Sequence, residues 1–399
     1  MNKKLWLILI IAVLNAVGLT IVFPLFPFLL GLYVPTNQIA PYLGILISIY
    51  AACKFFASPI MGGLSDHFGR KPILLFSLLG SAIGYFTLGI AGALWVLFLG
   101  RIIDGISAGD ISTLYAYAAD STQGKERAKL YGYLGAANGL GFMIGPAIGG
   151  LLGMKHVSLP FFVAGGISII TAVFIYFFLP ETLEKEKRTN NITFHSFNPF
   201  IHFKEILSLK KTRNIIILGT FFVIGLCLYQ SNIAVFVKDV FIWNPAHVGA
   251  LFSLIGLCDI ISRAVLLPRL LKFSEKSIGS SGLLLMITGF SFIAFSDYYN
   301  TVILLWVAVI FITIGEGLFD PHYNNMLSHS VSDNKQGQLQ GVNQGIQSLL
   351  YAIFPAISGM IYLYHPTAVY IVAAFLMTVP LLYFYKQFDN LSEVDKYTK

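Results

Sequence analysis

Long apolar stretches alternate with short polar ones along almost all of the 399 residues. Twelve of the apolar stretches are long enough, or nearly so, to cross a hydrocarbon layer of about 30 Å as α-helices. The predicted spans are residues 5–33, 40–63, 72–92, 94–119, 128–152, 159–179, 214–237, 246–270, 278–295, 301–327, 338–362 and 367–385. The pattern predicts an all-α integral membrane protein with twelve transmembrane helices.

The polar segments divide this series once. A charged run at 181–188 is followed by a polar stretch and by an amphipathic segment near 200–209. We therefore predict an N-terminal six-helix bundle over 1–180, a cytoplasmic linker over 181–213 and a C-terminal six-helix bundle over 214–399. The amphipathic segment is expected to lie along the inner membrane surface, which then becomes a lipid contact of the chain.

Composition and charge agree with a membrane protein. The chain is 56% hydrophobic and only 11% charged, which leaves too little polar surface to cover a soluble globule of this size. A net charge of +7 could indicate a nucleic-acid partner, but the basic residues are distributed by side. All but five of the lysines and arginines lie in segments on one predicted side of the membrane. Lys155 and Lys238 lie on the other side, and Lys54, Arg101 and Arg263 lie within helices. The positive-inside rule therefore predicts that both termini are cytoplasmic, and no nucleic-acid partner is expected.

The turn between the second and third predicted helices has a distinctive sequence, GGLSDHFGRK at 62–71. Arg70 and Lys71 cross a bilayer only at a cost of roughly 2.5–3.5 kcal/mol each, so they hold the turn in the cytoplasm. Gly69 permits a tight reversal, and Asp66 is placed to cap or pair with a neighbouring element. The spacing resembles the G-x-L-[A/S]-D-x-x-G-R-K pattern of the major facilitator superfamily.

A second motif lies in the fifth predicted helix, GFMIGPAIGG at 141–150. It resembles the antiporter signature of the same family, G-x-x-x-G-P-x-x-G-G. Small residues allow helices to approach closely, and a proline removes one backbone hydrogen bond and permits a kink. The resemblance implies exchange rather than symport. The two motifs together supply the predicted conformational gate, which consists of Gly62, Asp66, Gly69, Arg70, Lys71, Gly145 and Pro146.

The resemblance extends over the whole chain and is closest to drug:proton antiporters of the tetracycline-exporter type. It is carried by pairs such as Gly100-Arg101, Ala119-Asp120 and Gln340-Gly341. Two positions depart from that type. Asn15 stands on helix 1 where those exporters carry an acid, and Lys54 stands on helix 2 where they carry an uncharged polar residue. These departures argue against tetracycline itself as the cargo.

Ionisable residues inside predicted spans are candidates for function, because burial in lipid is costly unless the charge is paired or hydrated. Arg101 and Asp104 lie about 60° apart on helix 4, at about 100° per residue. We interpret Asp104 as a proton carrier and Arg101 as the cation that modulates it; a static ion pair is the alternative. Asp110 is expected to point away from this face, nearer the cytoplasm, and ranks lower.

Helix 10 offers a second pair of acids, Glu316 and Asp320, one turn apart. Neighbouring carboxylates disfavour double ionisation, so one of them is expected to hold a proton or to meet a cationic substrate. The alternative is that one of them pairs with Lys54 or Arg263. Asp259 and Arg263, spaced four residues apart, are expected to form a local ion pair within helix 8.

The predicted substrate cavity is lined by polar and aromatic side chains. Three glutamines of helix 11 recur at helical spacing, and such a stripe is unfavourable against lipid. The predicted wall residues are Asn15, Lys54, Tyr115, Tyr229, Gln230, Gln340, Gln344 and Gln347, with Phe23 and Phe26 as further possibilities.

No phosphate-binding glycine loop, no nucleophile with a base and no metal-ligand spacing occurs in the sequence. We therefore predict a protein that is not an enzyme and has no cofactor or metal. The preferred function is a monomeric secondary transporter of a bacterial inner membrane that exports small amphipathic compounds in exchange for protons. The alternative, which Lys54 favours, is export of an anionic metabolite such as a siderophore, or of a lipid. A third class is a transporter-like receptor or scramblase without proton coupling.

Overall fold

A computed structural model of the chain describes residues 3–184, 186, 188, 200, 203–332 and 335–394, without the side chains of 3–5, 125, 128 and 386–394. Every regular element in this part of the chain is helical. In chain order the α-helices are α1 (Lys3–Thr20), α2 (Phe26–Leu30), α3 (Ile39–Phe68), α4 (Arg70–Ile90), α5 (Leu94–Ser107), α6 (Asp110–Ser121), α7 (Gly124–Lys155), α8 (Leu159–Phe178), α9 (Phe203–Ser208), α10 (Lys210–Val240), α11 (Pro245–Ile261), α12 (Leu267–Leu270), α13 (Glu275–Tyr298), α14 (Val302–Ser328), α15 (Gln336–Tyr364) and α16 (Ala368–Val394).

Eleven helical segments of the described residues are long and apolar enough to cross a membrane. This confirms the predicted all-α membrane fold, but the count of twelve is not confirmed. The difference is the predicted span 94–119, which is two helices, α5 and α6, separated at Ala108 and Gly109. Glycine, serine and aspartate around the break are poor helix formers, and Gly109 leaves the helical conformation at ψ 0°.

Two other spans are irregular. Prolines at 24 and 27 separate α1 from α2 through a short 3₁₀ turn, because proline cannot donate a backbone hydrogen bond. In the eighth predicted span, a π-helical segment Ser262–Leu266 separates α11 from α12. Such segments shift the side chains that follow them relative to a regular α-helix. The residue affected is Arg263.

The linker is described only in part, and residues 189–199 and 201–202 lie outside the described residues. Within the predicted amphipathic segment, α9 is a single short helix that packs against α10 and α15. Phe203 lies against Gly345 of α15, and the Phe200 ring lies 5.6 Å from that of Phe55 on α3. The division into two bundles with a cytoplasmic linker stays a prediction.

We call the end of the molecule that carries Gly69 and α9 the terminal end, and the other the opposite end. At the opposite end the two halves are in close contact. No Cβ fits on Gly44 of α3, because the backbone of Pro355 of α15 lies against it, and Gly150 of α7 meets Gly249 of α11 in the same way. At the terminal end, a Cβ on Gly132, Gly135, Gly337 or Gly341 would meet nothing within 4 Å. The two halves are therefore in close contact at the opposite end, and these four glycines make no such contact at the terminal end.

Replacing Gly44 by valine should open the opposite end. Overpacking a tight contact costs about 1–3 kcal/mol, which corresponds to roughly a 5–150-fold shift between two conformations. The expected result is faster thiol labelling of a cysteine introduced at the buried Leu43. Gly166→Val is the matched control, because Gly166 is a helical glycine on α8 outside the predicted gate and a Cβ there meets nothing within 4 Å. Equal labelling in both variants would show that the Gly44 contact does not hold this end closed.

Candidate functional site

The first half of the chain places a buried ion pair at the middle of its helices. Arg101 Nη1 lies 3.2 Å from Asp104 Oδ2, and the two residues are 4% and 2% exposed. The other carboxylate oxygen of Asp104 accepts a 2.8 Å hydrogen bond from Ser81 Oγ of α4. Gly84 and Gly100 allow α4 and α5 to approach closely around this pair. The predicted proximity of Arg101 and Asp104 is thus present in the structure, within a helix that also packs on α3.

Aromatic rings complete the surroundings of Arg101. Its guanidinium carbon lies 3.9 Å from the Tyr50 ring centroid and 5.2 Å from that of Phe26, within the range of cation–π attraction. Its Nε is buried without a hydrogen-bond partner among the described residues. Among the described residues, Arg101 is therefore held by one carboxylate and two rings.

Lys54 lies one turn from Tyr50 on α3. Its ammonium is 5.8 Å from the Tyr50 ring, and no described carboxylate lies within the 4.0 Å of an ion pair. The proposed pairing of Lys54 with an acid of helix 10 is not present in this conformation. Lys54 is partly exposed. Lys54 is therefore a cation without a carboxylate contact among the described residues.

The break between α5 and α6 brings Asp110 to α1. Asn15 Nδ2 donates a 2.5 Å hydrogen bond to Asp110 Oδ2, and both residues are partly exposed. The sequence-based direction of Asp110 assumed a continuous helix through 104–110, and that assumption is wrong because the helix is interrupted at Ala108. Asp110 thus joins the polar group of the first half. The signal available in the sequence was the Gly109-Asp110 pair, a common start of a new helix.

The second half holds a branched charge cluster around Arg263. Arg263 Nε lies 2.7 Å from Asp259 Oδ1, as predicted, and Nη1 lies 3.0 Å from Asp320 Oδ2 of α14. Asn324 Nδ2 donates to the other oxygen of Asp320 at 3.0 Å. Arg263 therefore forms both the local pair and the predicted alternative pairing with helix 10. Arg263 lies in the π-helical segment Ser262–Leu266, so this double contact is made from an irregular part of the helix.

Glu316 lies one turn from Asp320 on α14 and is partly exposed. Its carboxylate has no hydrogen-bond partner within the part of the chain that the structure describes, although it interacts electrostatically with Arg263, Asp259 and Asp320. Two carboxylates therefore contact the Arg263 guanidinium directly, and Glu316 is a third acid nearby in the second half. The polar group of the first half balances Lys54 and Arg101 against Asp104 and Asp110. The two sides of the molecule differ in charge.

The predicted wall residues are distributed unequally. Gln340 and Gln344 are exposed and Gln347 is partly exposed, whereas the neighbouring Asn343 is buried and accepts a 2.7 Å hydrogen bond from Tyr323. Tyr115 is partly exposed and lies edge-on to Tyr131.

Two wall predictions on α10 behave differently from each other. Gln230 is exposed and accepts a hydrogen bond from Tyr351 at 3.2 Å. Tyr229 is 2% exposed, so it does not face open space in this conformation. A single 100° step along the helix thus separates a residue that faces solvent from one inside the bundle.

The turn between α3 and α4 is held by a network around Arg70. Its guanidinium donates to Asp66 at 2.5 Å, to Ser65 at 2.7 Å and to Asp120 of α6 at 2.8 Å. Gly69 has a φ of 106°, a left-handed conformation that favours glycine. Lys71 instead donates to the Tyr176 carbonyl oxygen at 2.7 Å. The predicted gate residues around the turn therefore lie together, whereas a Cβ on Gly62 would meet open space.

Glu181 completes this turn, and sequence reasoning did not include it. Its two oxygens accept the backbone N–H groups of Arg70, Lys71, Thr182 and Leu183 at 2.9–3.0 Å. Partial burial acts to raise the pKa of Glu181, but these four hydrogen bonds outweigh it and lower the pKa below its ordinary value. Glu181 is thus a charged cap on the start of α4. The signal was its position directly after the proline that ends the sixth predicted helix.

The antiporter-like motif lies on the contact surface of α7. No Cβ fits on Gly145, because Thr20 of α1 lies against it, and the Pro146 carbonyl lies against Gly249 of α11. Thr20 Oγ1 donates to the Gly141 carbonyl at 2.9 Å. This helix therefore packs closely on both halves at the opposite end.

Known proteins resemble this chain in sequence and in architecture. The family model of the Major Facilitator Superfamily matches residues 8–355 and 234–392. The class H tetracycline resistance protein of Pasteurella multocida is 33% identical over 374 residues, covering 91% of this chain and 90% of that protein. Multidrug resistance protein 2 of Bacillus subtilis is 27% identical over 391 residues, covering 95% and 94%.

Solved structures agree on the fold. The human organic anion transporter MFSD10 superposes with a TM-score of 0.71 at 21% identity, covering 96% of this chain and all of that one. A peptide transporter, solved in complex with alafosfalin, superposes with a TM-score of 0.80 at 15% identity, covering 98% and 95%. The chain therefore belongs to the major facilitator superfamily and is a multi-pass membrane transporter, not an enzyme.

Proposed function

We propose that this transporter exports small amphipathic compounds from the bacterial cytoplasm in exchange for protons, and that it works as a monomer by alternating access. Its similarity to tetracycline and multidrug resistance proteins supports a drug exporter. The basic residues near the terminal end support a cytoplasmic location for that end. In this orientation the described conformation is open to the cytoplasm.

The observation that carries the exchange of protons is the Arg101–Asp104 pair. A carboxylate that carries a proton has to be shielded from bulk water, or the proton leaks without substrate movement. Asp104 is 2% exposed, and its hydrogen-bond partners among the described residues are Arg101 and Ser81. Arginine keeps its charge throughout, so the protonation of Asp104 depends on how closely Arg101 approaches. Both residues lie on α5, so a shift of α5 against α3 and α4 would change their contacts with the Tyr50 ring and with Ser81, and a rotation of the Arg101 side chain would then change its distance from Asp104.

Alternating access is supported by the unequal ends. The contacts at Gly44 and Gly150 close one end, while the glycines at 132, 135, 337 and 341 border open space at the other. Rocking of the two halves about the middle of the membrane would reverse this arrangement. The polar groups around Lys54 in the first half and Arg263 in the second would then be reached from the opposite end.

A transport screen in proteoliposomes tests this function. Ethidium, tetracycline and fluorescein represent cationic, zwitterionic and anionic compounds, and a pH gradient is imposed across the vesicle membrane. We expect gradient-dependent accumulation of a cationic or zwitterionic compound that stops when a protonophore is added. Accumulation that survives the protonophore would contradict proton exchange.

A second candidate function, export of an anionic metabolite or of a lipid, is favoured by Lys54, which has no carboxylate partner among the described residues. An anionic group of the cargo would supply that partner. Lys54→Gln should then weaken the binding of anionic compounds selectively, by about 1–3 kcal/mol for one lost charge-assisted contact. The measurement is binding affinity for fluorescein against ethidium, with the exposed Lys155→Gln as the control. Equal weakening of both compounds would indicate a structural lysine.

A further inference from the structure

A cavity of about 140 Å³ opens between α10 and α16, near the terminal end where α10 begins. The apolar part of its wall consists of Ile217, Leu218 and Phe221 of α10 with Val379 and Pro380 of α16. Pro380 lies inside α16, where a proline removes one backbone hydrogen bond and disturbs the packing of its turn. An apolar cavity of about 150 Å³ can hold a benzene-sized group, so this one has room for part of a hydrocarbon chain.

Exposed apolar side chains border this cavity. On α16 they form a stripe at helical spacing, in which each member is more than half exposed: Ile371, Phe375, Leu382 and Tyr385. Val379 and Tyr383 flank the stripe, because they lie within about 100° of Leu382 around the helix. On α10, the half-exposed Ile217 lies about 140° from Gln230, the residue predicted to line the central opening. Exposed apolar surface of a membrane protein contacts lipid, so the cavity opens toward lipid and away from the cargo path.

Basic residues lie on the terminal side of this cavity. Lys210, Lys211 and Arg213 are all exposed, and the first turn of α10 contains no acid. None of the three forms an ion pair with a carboxylate among the described side chains. Lys210 lies one turn before Asn214, a cavity residue, on the same side of the helix. The free N–H groups at the start of a helix add a partial positive charge, so this side of the cavity attracts an anion.

Two polar side chains, Asn214 and Tyr383, form the wall one turn deeper than Lys210. The Tyr383 hydroxyl oxygen is buried near Asn214 but makes no hydrogen bond of normal geometry among the described residues. Buried polar atoms normally have a partner, and a phenol hydroxyl can donate to a carbonyl oxygen. A ligand that carries an acceptor at this depth would supply that partner.

These groups follow one another with increasing depth from the terminal end. At about 1.5 Å per residue, Asn214 lies about 6 Å beyond Lys210 along α10, and Ile217 to Phe221 lie about 10–17 Å beyond it. A phospholipid in the leaflet at this end presents its phosphate first, then its ester groups and then its acyl chains. The positive, polar and apolar layers of the site therefore match the order of chemical groups in a phospholipid. The unpaired basic residues favour a lipid whose head group carries a net negative charge.

We propose that this site binds one anionic phospholipid of the phosphatidylglycerol class as a structural ligand between α10 and α16. The phosphate lies at Lys210 and Lys211, the Tyr383 hydroxyl donates to an ester carbonyl, and one acyl chain enters the apolar part of the cavity. Basic pockets between membrane helices bind anionic head groups in this way. A zwitterionic lipid carries an amine that the two lysines repel. The site lies outside the proposed cargo path and does not depend on the proposed exchange of protons.

Native mass spectrometry of the full-length chain in detergent, with added phosphatidylglycerol or phosphatidylcholine, tests the charge match. We expect the wild type to bind phosphatidylglycerol at least fivefold more tightly than phosphatidylcholine. Lys210→Gln combined with Lys211→Gln should reduce this preference below twofold, because the attraction for the phosphate is lost. Arg269→Gln combined with Lys272→Gln is the matched control, because it removes two exposed positive charges at the same end and away from the cavity.

Filling the cavity tests the position of the acyl chain. Ile217→Trp should weaken the binding of phosphatidylglycerol at least fivefold, because the indole would occupy the space of the chain. Leu382→Trp is its control, because Leu382 is exposed on the neighbouring stripe and does not line the cavity. Phosphatidylglycerol with a photoreactive acyl chain should cross-link to residues 214–221 and 379–383 of the wild type, and this cross-link should be lost in Ile217→Trp.

Four outcomes would overturn the lipid site. The first is equal affinity of the wild type for the two lipids, and the second is a preference that survives the double lysine substitution or binding that is unchanged in Ile217→Trp. Displacement of the lipid by glycerol phosphate would indicate a site for soluble anions instead. Cross-links around Lys54 or Arg263 would show that the lipid is cargo. All of these readouts are made without transport, so the lipid site and the proposed function fail separately.

Discussion

Asp104→Asn should abolish accumulation driven by a pH gradient while leaving passive exchange of the cargo largely intact. Asparagine has nearly the same size as aspartate and can still accept the hydrogen bond from Ser81, but it cannot take up and release a proton. Proton coupling is therefore lost while the cargo site keeps its structure. We expect accumulation to fall at least tenfold, with exchange within about threefold of the wild type. Both are measured in proteoliposomes at several pH values. The conservative control is Glu126→Gln, an exposed acid at the start of α7.

The acids of helix 10 provide the comparison for Asp104. Glu316→Gln is expected to show the same separation of accumulation from exchange, because Glu316 has no hydrogen-bond partner among the described residues. Asp320→Asn should show a weaker separation, because Asp320 is paired with Arg263 and held by Asn324. If all three variants accumulate cargo as the wild type does, the carrier assignment is wrong, and Asp110 and Asp259 become the next candidates.

Arg70→Gln should slow transport by roughly 10–100-fold while changing cargo affinity by no more than a few-fold. The buried Arg70 guanidinium is shared by Asp66 and Asp120, whose side chains are 49% and 25% exposed, so losing it costs about 1–3 kcal/mol, less than the loss of one member of a fully buried ionic group. The substitution therefore destabilises the conformation that the structure describes, in which this network is formed. Turnover therefore changes, while the distant cargo site keeps its contacts. Asp66→Asn is expected to act in the same direction with a smaller effect, because Asp120 remains.

Turnover and equilibrium binding are measured on the same preparations. Lys71→Gln is the matched control for Arg70, since Lys71 is its neighbour and its amine contacts no described carboxylate but a carbonyl oxygen and the Tyr176 ring. Arg70→Gln should be at least several times slower than Lys71→Gln. A collapse of cargo binding with turnover per bound molecule preserved would exclude a conformational role for the network.

The sequence by itself determined the class of the protein and most of its candidate residues. An apolar run long enough to span the membrane can satisfy its backbone hydrogen bonds in lipid by forming a helix, and such runs are visible in the sequence alone. The charges inside those runs stand out because they are costly there, which identified Arg101, Asp104, Glu316 and Asp320. The turn motif identified Asp66 and Arg70 because glycine and paired charges at fixed spacing define a local structure.

Only the tertiary structure decided which of these groups meet. The break at Ala108 brings Asp110 to Asn15, and the π-helical segment accompanies the sharing of Arg263 between Asp259 and Asp320. Both features depend on backbone irregularities, which a regular 100° periodicity cannot anticipate. The Glu181 cap joins residues more than 100 positions apart in the chain. The burial of Tyr229 beside the exposed Gln230 likewise depends on which helices pack around α10, because both residues lie in the same apolar run.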